Sequence, residues 1–131
     1  MLDGKVAIVT GSGAGIGRAV AAAFAREGAR VVVNSRTASK VDSAVSEIVD
    51  AGGEAVGVSG DVSQPNDAER IVSAALDRWG KIDVLVNNAA VAGPIAPLGR
   101  DDPADWLRAL EINVYGPYLM TRTLAPAMRH G

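Results

Sequence analysis

Residues 5–17 read Lys5-Val6-Ala7-Ile8-Val9-Thr10-Gly11-Ser12-Gly13-Ala14-Gly15-Ile16-Gly17, an apolar run that breaks into a stretch with four glycines. Val6 to Val9 is predicted as a buried strand, Gly11 to Gly17 as a tight turn, and Ile16 onward as the first turn of a helix. Such a turn aims free backbone N–H groups and the positive end of a helix dipole at one point in space. That point suits a pyrophosphate.

Outward from this stretch, strand and helix patterns alternate. Ile16, Ala19, Val20, Ala23 and Phe24 recur at helical spacing until Glu27-Gly28-Ala29, where Gly28 can take a left-handed cap. Arg30 to Asn34 holds three consecutive valines, the continuous apolar run of a parallel strand covered on both faces. A helix is expected from about Ser39 to Ala51, ending at Gly52-Gly53, and a third strand from Glu54 to Ser59. Ser63 is read as the N-cap of a helix through about Arg78, with Pro65 in its first turn and Gly80 as its stop. Ile82 to Val86 is the fourth strand. Val91 to Arg100, with two prolines and two glycines, must be loop. Asp102 as N-cap and Pro103 at the first helical position then start one long helix reaching Met128.

The 131 residues, 48% of them hydrophobic, suffice for one domain with a real core. Thirteen basic and fifteen acidic residues give a formal net charge of -2 without a long run of either sign, so neither a nucleic-acid footprint nor a polybasic membrane patch is expected. There is no cysteine and a single histidine, His130, which removes disulfides, thiolate catalysis and cysteine-ligated metals and argues against a histidine-based metal site, so no metal is expected. No apolar run approaches the ~18 residues of a membrane span, and the amino terminus does not look like a signal peptide. A soluble, cytoplasmic chain is the expectation. The alternation without repeats or linkers predicts a single α/β unit over residues 1–131, a parallel sheet with helices on both faces.

The glycine spacing, Gly11-xxx-Gly15-x-Gly17, is not G-x-G-x-x-G, because Ile16, Arg18 and Val20 stand where a third glycine would fall. Nor is it a P-loop, since Arg18-Ala19 follows Gly17 instead of Lys-Ser or Lys-Thr. The remaining Thr-Gly-x-x-x-Gly-x-Gly pattern, with Asn87-Asn88-Ala89 closing the fourth strand, resembles the short-chain dehydrogenase/reductase family along the whole chain. The resemblance implies a Rossmann-like, doubly wound parallel sheet in three α/β/α layers, binding a nicotinamide dinucleotide. The first three strands would lie in the order 3-2-1 and the fourth beyond the first, giving 3-2-1-4 with the fourth as a bare edge of an incomplete sheet.

The resemblance also implies site residues. Gly11, Gly15 and Gly17 would cradle the phosphates, with Ser12 and Ile16 as further loop contacts. Asn34, Ser35 and Arg36 stand at the end of the second strand, where an acid would bind the ribose hydroxyls of NAD. No acid is present, and a guanidinium beside a hydroxyl can hold a 2'-phosphate, which favours NADP with NAD as the alternative. Ala14, where some NADP-preferring relatives carry a basic residue, works against that choice. Asp61 and Val62 would take the adenine through a carboxylate and a backbone N–H. Asn87, Ala89 and Ala90 would pass beneath the cofactor, Asn87 also tying neighbouring strands together, with Ala90 in place of the family's usual glycine. Asn113 matches the helix asparagine whose backbone holds a water in the family's proton relay; a kink between two helices explains it equally.

The family's chemistry also needs a serine and a Tyr-x-x-x-Lys pair. Tyr115 is followed four residues on by Leu119, and Tyr118 by Arg122, so neither fits. The chain therefore reads as the amino-terminal half of an oxidoreductase acting on a carbonyl or alcohol carbon, inactive by itself. Two alternatives stay open: a non-catalytic nucleotide-binding module, and an S-adenosylmethionine-dependent methyltransferase, which shares Gly13-Ala14-Gly15-Ile16-Gly17 but not the usual acids. Trp106, Leu110, Leu119, Met120, Leu124 and Met128 suggest either core or the interface of a homo-oligomer.

Overall fold

A computed structural model describes residues 1–128; His130, the one histidine, lies outside them. Four strands form one parallel sheet, β1 (Val6–Val9), β2 (Arg30–Ser35), β3 (Glu54–Ser59) and β4 (Val84–Val86), in the order β3-β2-β1-β4. Ile8 stands level with Val32 on one side and Leu85 on the other. Every residue of β1 is fully buried, which explains why this strand is apolar throughout and does not alternate. The third strand spans the predicted residues, and the fourth is shorter than predicted. Ile82 is buried but precedes the ladder.

The helices α1 (Gly15–Arg26) and α2 (Ala38–Asp50) cover one face of the sheet, against Val9, Val31 and Val33. On the other face, α3 (Pro65–Trp79) and α5 (Gly116–Met128) cover Val6, Ile8 and Val32. Alternate residues of β1 and β2 therefore feed two separate cores, as a strand's two-residue period requires. No helix among the described residues is long and apolar enough to cross a membrane.

Two local expectations are corrected. Ser63 does not cap α3. Gln64 occupies the cap position without a side-chain bond, because the Ser63 hydroxyl turns away to donate to Asp61 Oδ1 at 2.7 Å. The long final helix is also not continuous. It divides into α4 (Pro103–Leu110), a π-helical turn at Glu111–Tyr115 and α5. Asp102 caps α4 as expected, accepting from Ala104 N–H at 3.0 Å.

The widening has a cause in the sequence. Pro117 has no N–H to give to the carbonyl four residues back, that of Asn113, and its ring would crowd that carbonyl. The Gly116 N–H donates instead to Glu111, five residues back. Gly116 also brings α5 close to the rest of the domain: a Cβ there would sit 2.6 Å from Val62 Cγ2.

The division between core and surface along this last segment is sharp. Met120 is 0% exposed and Leu110 is 51% exposed. Met120→Ala is therefore expected to cost about 2–5 kcal/mol in urea denaturation, and Leu110→Ala under about 1 kcal/mol.

Candidate dinucleotide site

At the carboxyl edge of the sheet, the chain leaves β1, β2 and β4 in loops that must be held together without strand pairing. Buried Thr10 closes one junction. Its hydroxyl oxygen accepts the N–H groups of Asn88 and Ala89 at 3.1 and 3.0 Å, which fixes the turn after β4. Asn88 completes that junction by donating its side-chain amide to the Gly11 carbonyl at 3.0 Å.

Buried Asn34 closes the other junction. It accepts from Gly11 N–H at 3.3 Å and donates to the Val58 and Gly60 carbonyls at 3.1 and 3.2 Å. Ser12 is wholly internal: its hydroxyl donates to the Val9 carbonyl at 2.6 Å and accepts Asn34 N–H at 3.0 Å, and its own N–H goes to the Asn34 carbonyl.

These ties leave little room between the glycine loop and the β4 turn. At Gly11 a Cβ would stand 2.7 Å from Ala89 Cα, and at Gly17 it would stand 2.4 Å from the Gly11 carbonyl oxygen. Gly15 is different, with φ +59° and open space around its missing Cβ. It opens α1, whose N-cap Ala14 offers no side-chain acceptor. The helix dipole and the first-turn N–H groups of α1 thus meet a cavity of about 330 Å³.

That cavity gathers most of the expected site residues. Gly11, Gly15, Asn34, Ser35, Arg36, Asp61, Val62, Ala89 and Ala90 all line it. Asn34 does so while its amide is spent on the loops, and Ser35 Oγ accepts Thr37 N–H at 3.2 Å, so Arg36 is the exposed cation at that end. Five expected residues do not line it: Ser12, Ile16, Gly17, Asn87 and Asn113. Ser12 is buried, Gly17 packs beneath the loop, and Ile16 is 78% exposed.

Asn87 is exposed and reaches only Thr121 Oγ1, at 3.5 Å. The strand tie expected of Asn87 is made by Asn88 and Thr10, because Asn87 directly follows β4, the edge strand, with no strand beyond it among the described residues.

Asn113 lies in the π-helical turn and clamps the loop after β4. Its amide donates to the Val91 carbonyl and accepts Val91 N–H, both at 2.8 Å. Pro117 leaves its backbone carbonyl without the usual α-helical donor. Tyr118 and Arg122 pair with each other at 2.9 Å, and Tyr118 faces an exposed apolar strip with Leu107, Leu110 and Val114 rather than the cavity.

Two polar residues escaped the sequence reading. Thr10 was only a motif letter, and Arg108 carried no local signal because its partner is 47 residues away. Its guanidinium pairs with Asp61 Oδ2 and donates to Ser63 Oγ at 3.0 Å. Burial pushes the Asp61 carboxyl up, but the Ser63 hydroxyl, Arg108 and the Ser63 N–H together more than offset it and hold the group below its ordinary value. Among the described residues no cluster of His, Asp or Glu could hold a metal.

Thr10→Val keeps the volume but strips the acceptor from two N–H groups. A loss of about 1–3 kcal/mol is expected, with amide exchange accelerated first at Asn88 and Ala89, while Thr10→Ser should retain the parent stability.

Comparison with known proteins agrees with this arrangement. The family described as short chain dehydrogenase matches residues 5–131. The 7alpha-hydroxysteroid dehydrogenase of Escherichia coli K12 is 41% identical over 128 residues, covering 97% of this chain and 49% of its own. A sorbitol dehydrogenase of Cereibacter sphaeroides is 42% identical over 130 residues, covering 99% and 49%. A metagenomic short-chain oxidoreductase crystallised with NADP superposes with a TM-score of 0.89 at 41% identity, over 96% of this chain and 57% of that one. The chain spans about half the length of the curated relatives it matches. These matches do not favour a methyltransferase. With the glycine loop, the 3-2-1-4 sheet and the cavity between them in place, the chain belongs to the short chain dehydrogenase family.

Proposed function

We propose that this chain is the nicotinamide-dinucleotide-binding half of an oxidoreductase that moves hydride between NADP(H) and a carbonyl or alcohol carbon. The observation that carries the reading is the uncapped start of α1 opening onto a cavity whose other rim is Arg36. The cradle fits the group. Gly15 leaves space for a phosphate beside the first-turn N–H groups, and a cation stands where a 2'-phosphate would lie.

The bound dinucleotide would supply the hydride. The chain's own residues bind and orient: Gly11 and Gly15 shape the phosphate turn, Asp61 and the Val62 N–H face the adenine, and Ala89 and Ala90 floor the site. Val62 N–H makes no hydrogen bond among the described residues, in keeping with that role. Asn113 fixes the loop that borders the nicotinamide end. The serine and the Tyr-x-x-x-Lys pair of the family have no counterpart in the 131 residues, so proton transfer to substrate needs groups these residues do not provide.

The oligomer reading narrows. Leu119, Met120 and Leu124 belong to the core, whereas Trp106, Leu107, Leu110 and Val114 are half or more exposed. We assign the second set to contact with another copy; a monomer in sedimentation equilibrium at high concentration would remove that assignment.

Binding is tested by titrating the chain with NADPH and NADH. NADPH should bind more tightly, and Arg36→Ala should shrink the preference by about tenfold, the share of one charge-assisted contact. An unchanged preference would remove Arg36 from the site. No hydride transfer to ketones is expected from the chain alone, and measurable turnover would contradict the assignment of the proton-transfer groups.

A further inference from the structure

Asp61 is held from three directions before any ligand arrives. Oδ1 accepts both the N–H and the hydroxyl of Ser63, at 2.9 and 2.7 Å. Oδ2 takes Arg108. The backbone N–H of Asp61 goes to Asp67 Oδ2 at 2.9 Å, and Asp67 is itself paired with Arg70 at 2.9 Å. An ionised carboxylate has about four acceptor positions. Oδ1 is therefore filled, and one position on Oδ2 remains. Asp61 lines the cavity, whereas Arg108 does not; it reaches Asp61 from α4 and lines an adjoining cavity that also includes Arg36 and Val91.

The guanidinium is also fixed. It donates to Ser63 Oγ at 3.0 Å and to Glu111 Oε2 at 3.1 Å while it holds Asp61. One planar fork thus spans the loop after β3 and the start of the π-helical turn, an arrangement that a lysine's single ammonium centre cannot copy. The side chain that holds Asp61 Oδ2 is on α4 and does not line the cavity.

We propose that Arg108 is a positioning residue for base recognition: by aiming the one open acceptor of Asp61 into the cavity, it makes the site select a base with an exocyclic amine over one with a carbonyl at that position. The proposal rests on the reading of the cavity as a dinucleotide site. It separates two contributions to affinity. Phosphate and ribose contacts are independent of Arg108, and discrimination at the base depends on it.

The probes are NADPH and its hypoxanthine analogue, in which a carbonyl replaces the exocyclic amine, titrated into the full chain. The parent chain is expected to favour NADPH by about tenfold or more, as one hydrogen bond to a charged group allows. In Arg108→Met that ratio should fall to about twofold or less, with the affinity for the hypoxanthine analogue changed by less than about threefold. Arg108→Lys, which keeps the charge but not the fork, should give an intermediate ratio and carries the test if Arg108→Met does not fold by its melting profile. In an Asp61→Asn background, Arg108→Met should produce no further loss of selectivity, since it acts through that carboxylate. Equal losses for both ligands, or an unchanged ratio, would show a role in folding alone and overturn the proposal. A parent chain that binds neither ligand would instead overturn the dinucleotide reading on which it stands.

Discussion

The carboxyl edge of this sheet depends on satisfying buried backbone groups where the strands end. Between neighbouring strands, parallel pairing takes care of the N–H and carbonyl groups that face one another, but beyond Val9, Ser35 and Val86 the chain must turn while remaining packed. Two buried side chains solve this. Thr10 collects two N–H groups from the turn after β4, and Asn34 links the glycine loop to the end of β3. Because those loops are tied to one another, the opening of α1 is left as the place where donors face a cavity.

The same economy explains the glycines. Gly11 and Gly17 are needed because the loops lie too close for a methyl group. Gly15 is needed for its left-handed backbone and faces open space. A single motif therefore mixes structural and binding roles, and its letters do not say which is which. Ser12 shows the consequence: adjacent to Gly11, it is spent entirely on internal bonds.

Much of the architecture was legible in order. Uniformly apolar β1 and the three consecutive valines of β2 announced a doubly covered parallel sheet, and Gly28, Gly80 and the Asp102-Pro103 pair marked helix ends where the structure has them. Periodicity could not show the π-helical turn, since apolar spacing runs across it. The one local clue was Pro117, four residues after Asn113. The Asp61–Arg108 pair was invisible for a different reason: it joins distant segments brought together only when α4 docks. Asn87 and Asn88 were indistinguishable as letters; a one-residue difference at the strand end sends one amide to the glycine loop and the other to the open side.

The central claim is that the open donors of α1, the β3 loop and the β4 turn form one dinucleotide cradle. Backbone amide spectra of the isotopically labelled chain, recorded with and without NADPH, test it most directly. The account predicts the largest shifts together at Ala14, Gly15, Ile16, Val62 and Ala90, with the α2 amides facing away from the site nearly unmoved. Shifts absent from the glycine loop, or centred on another part of the surface, would contradict it.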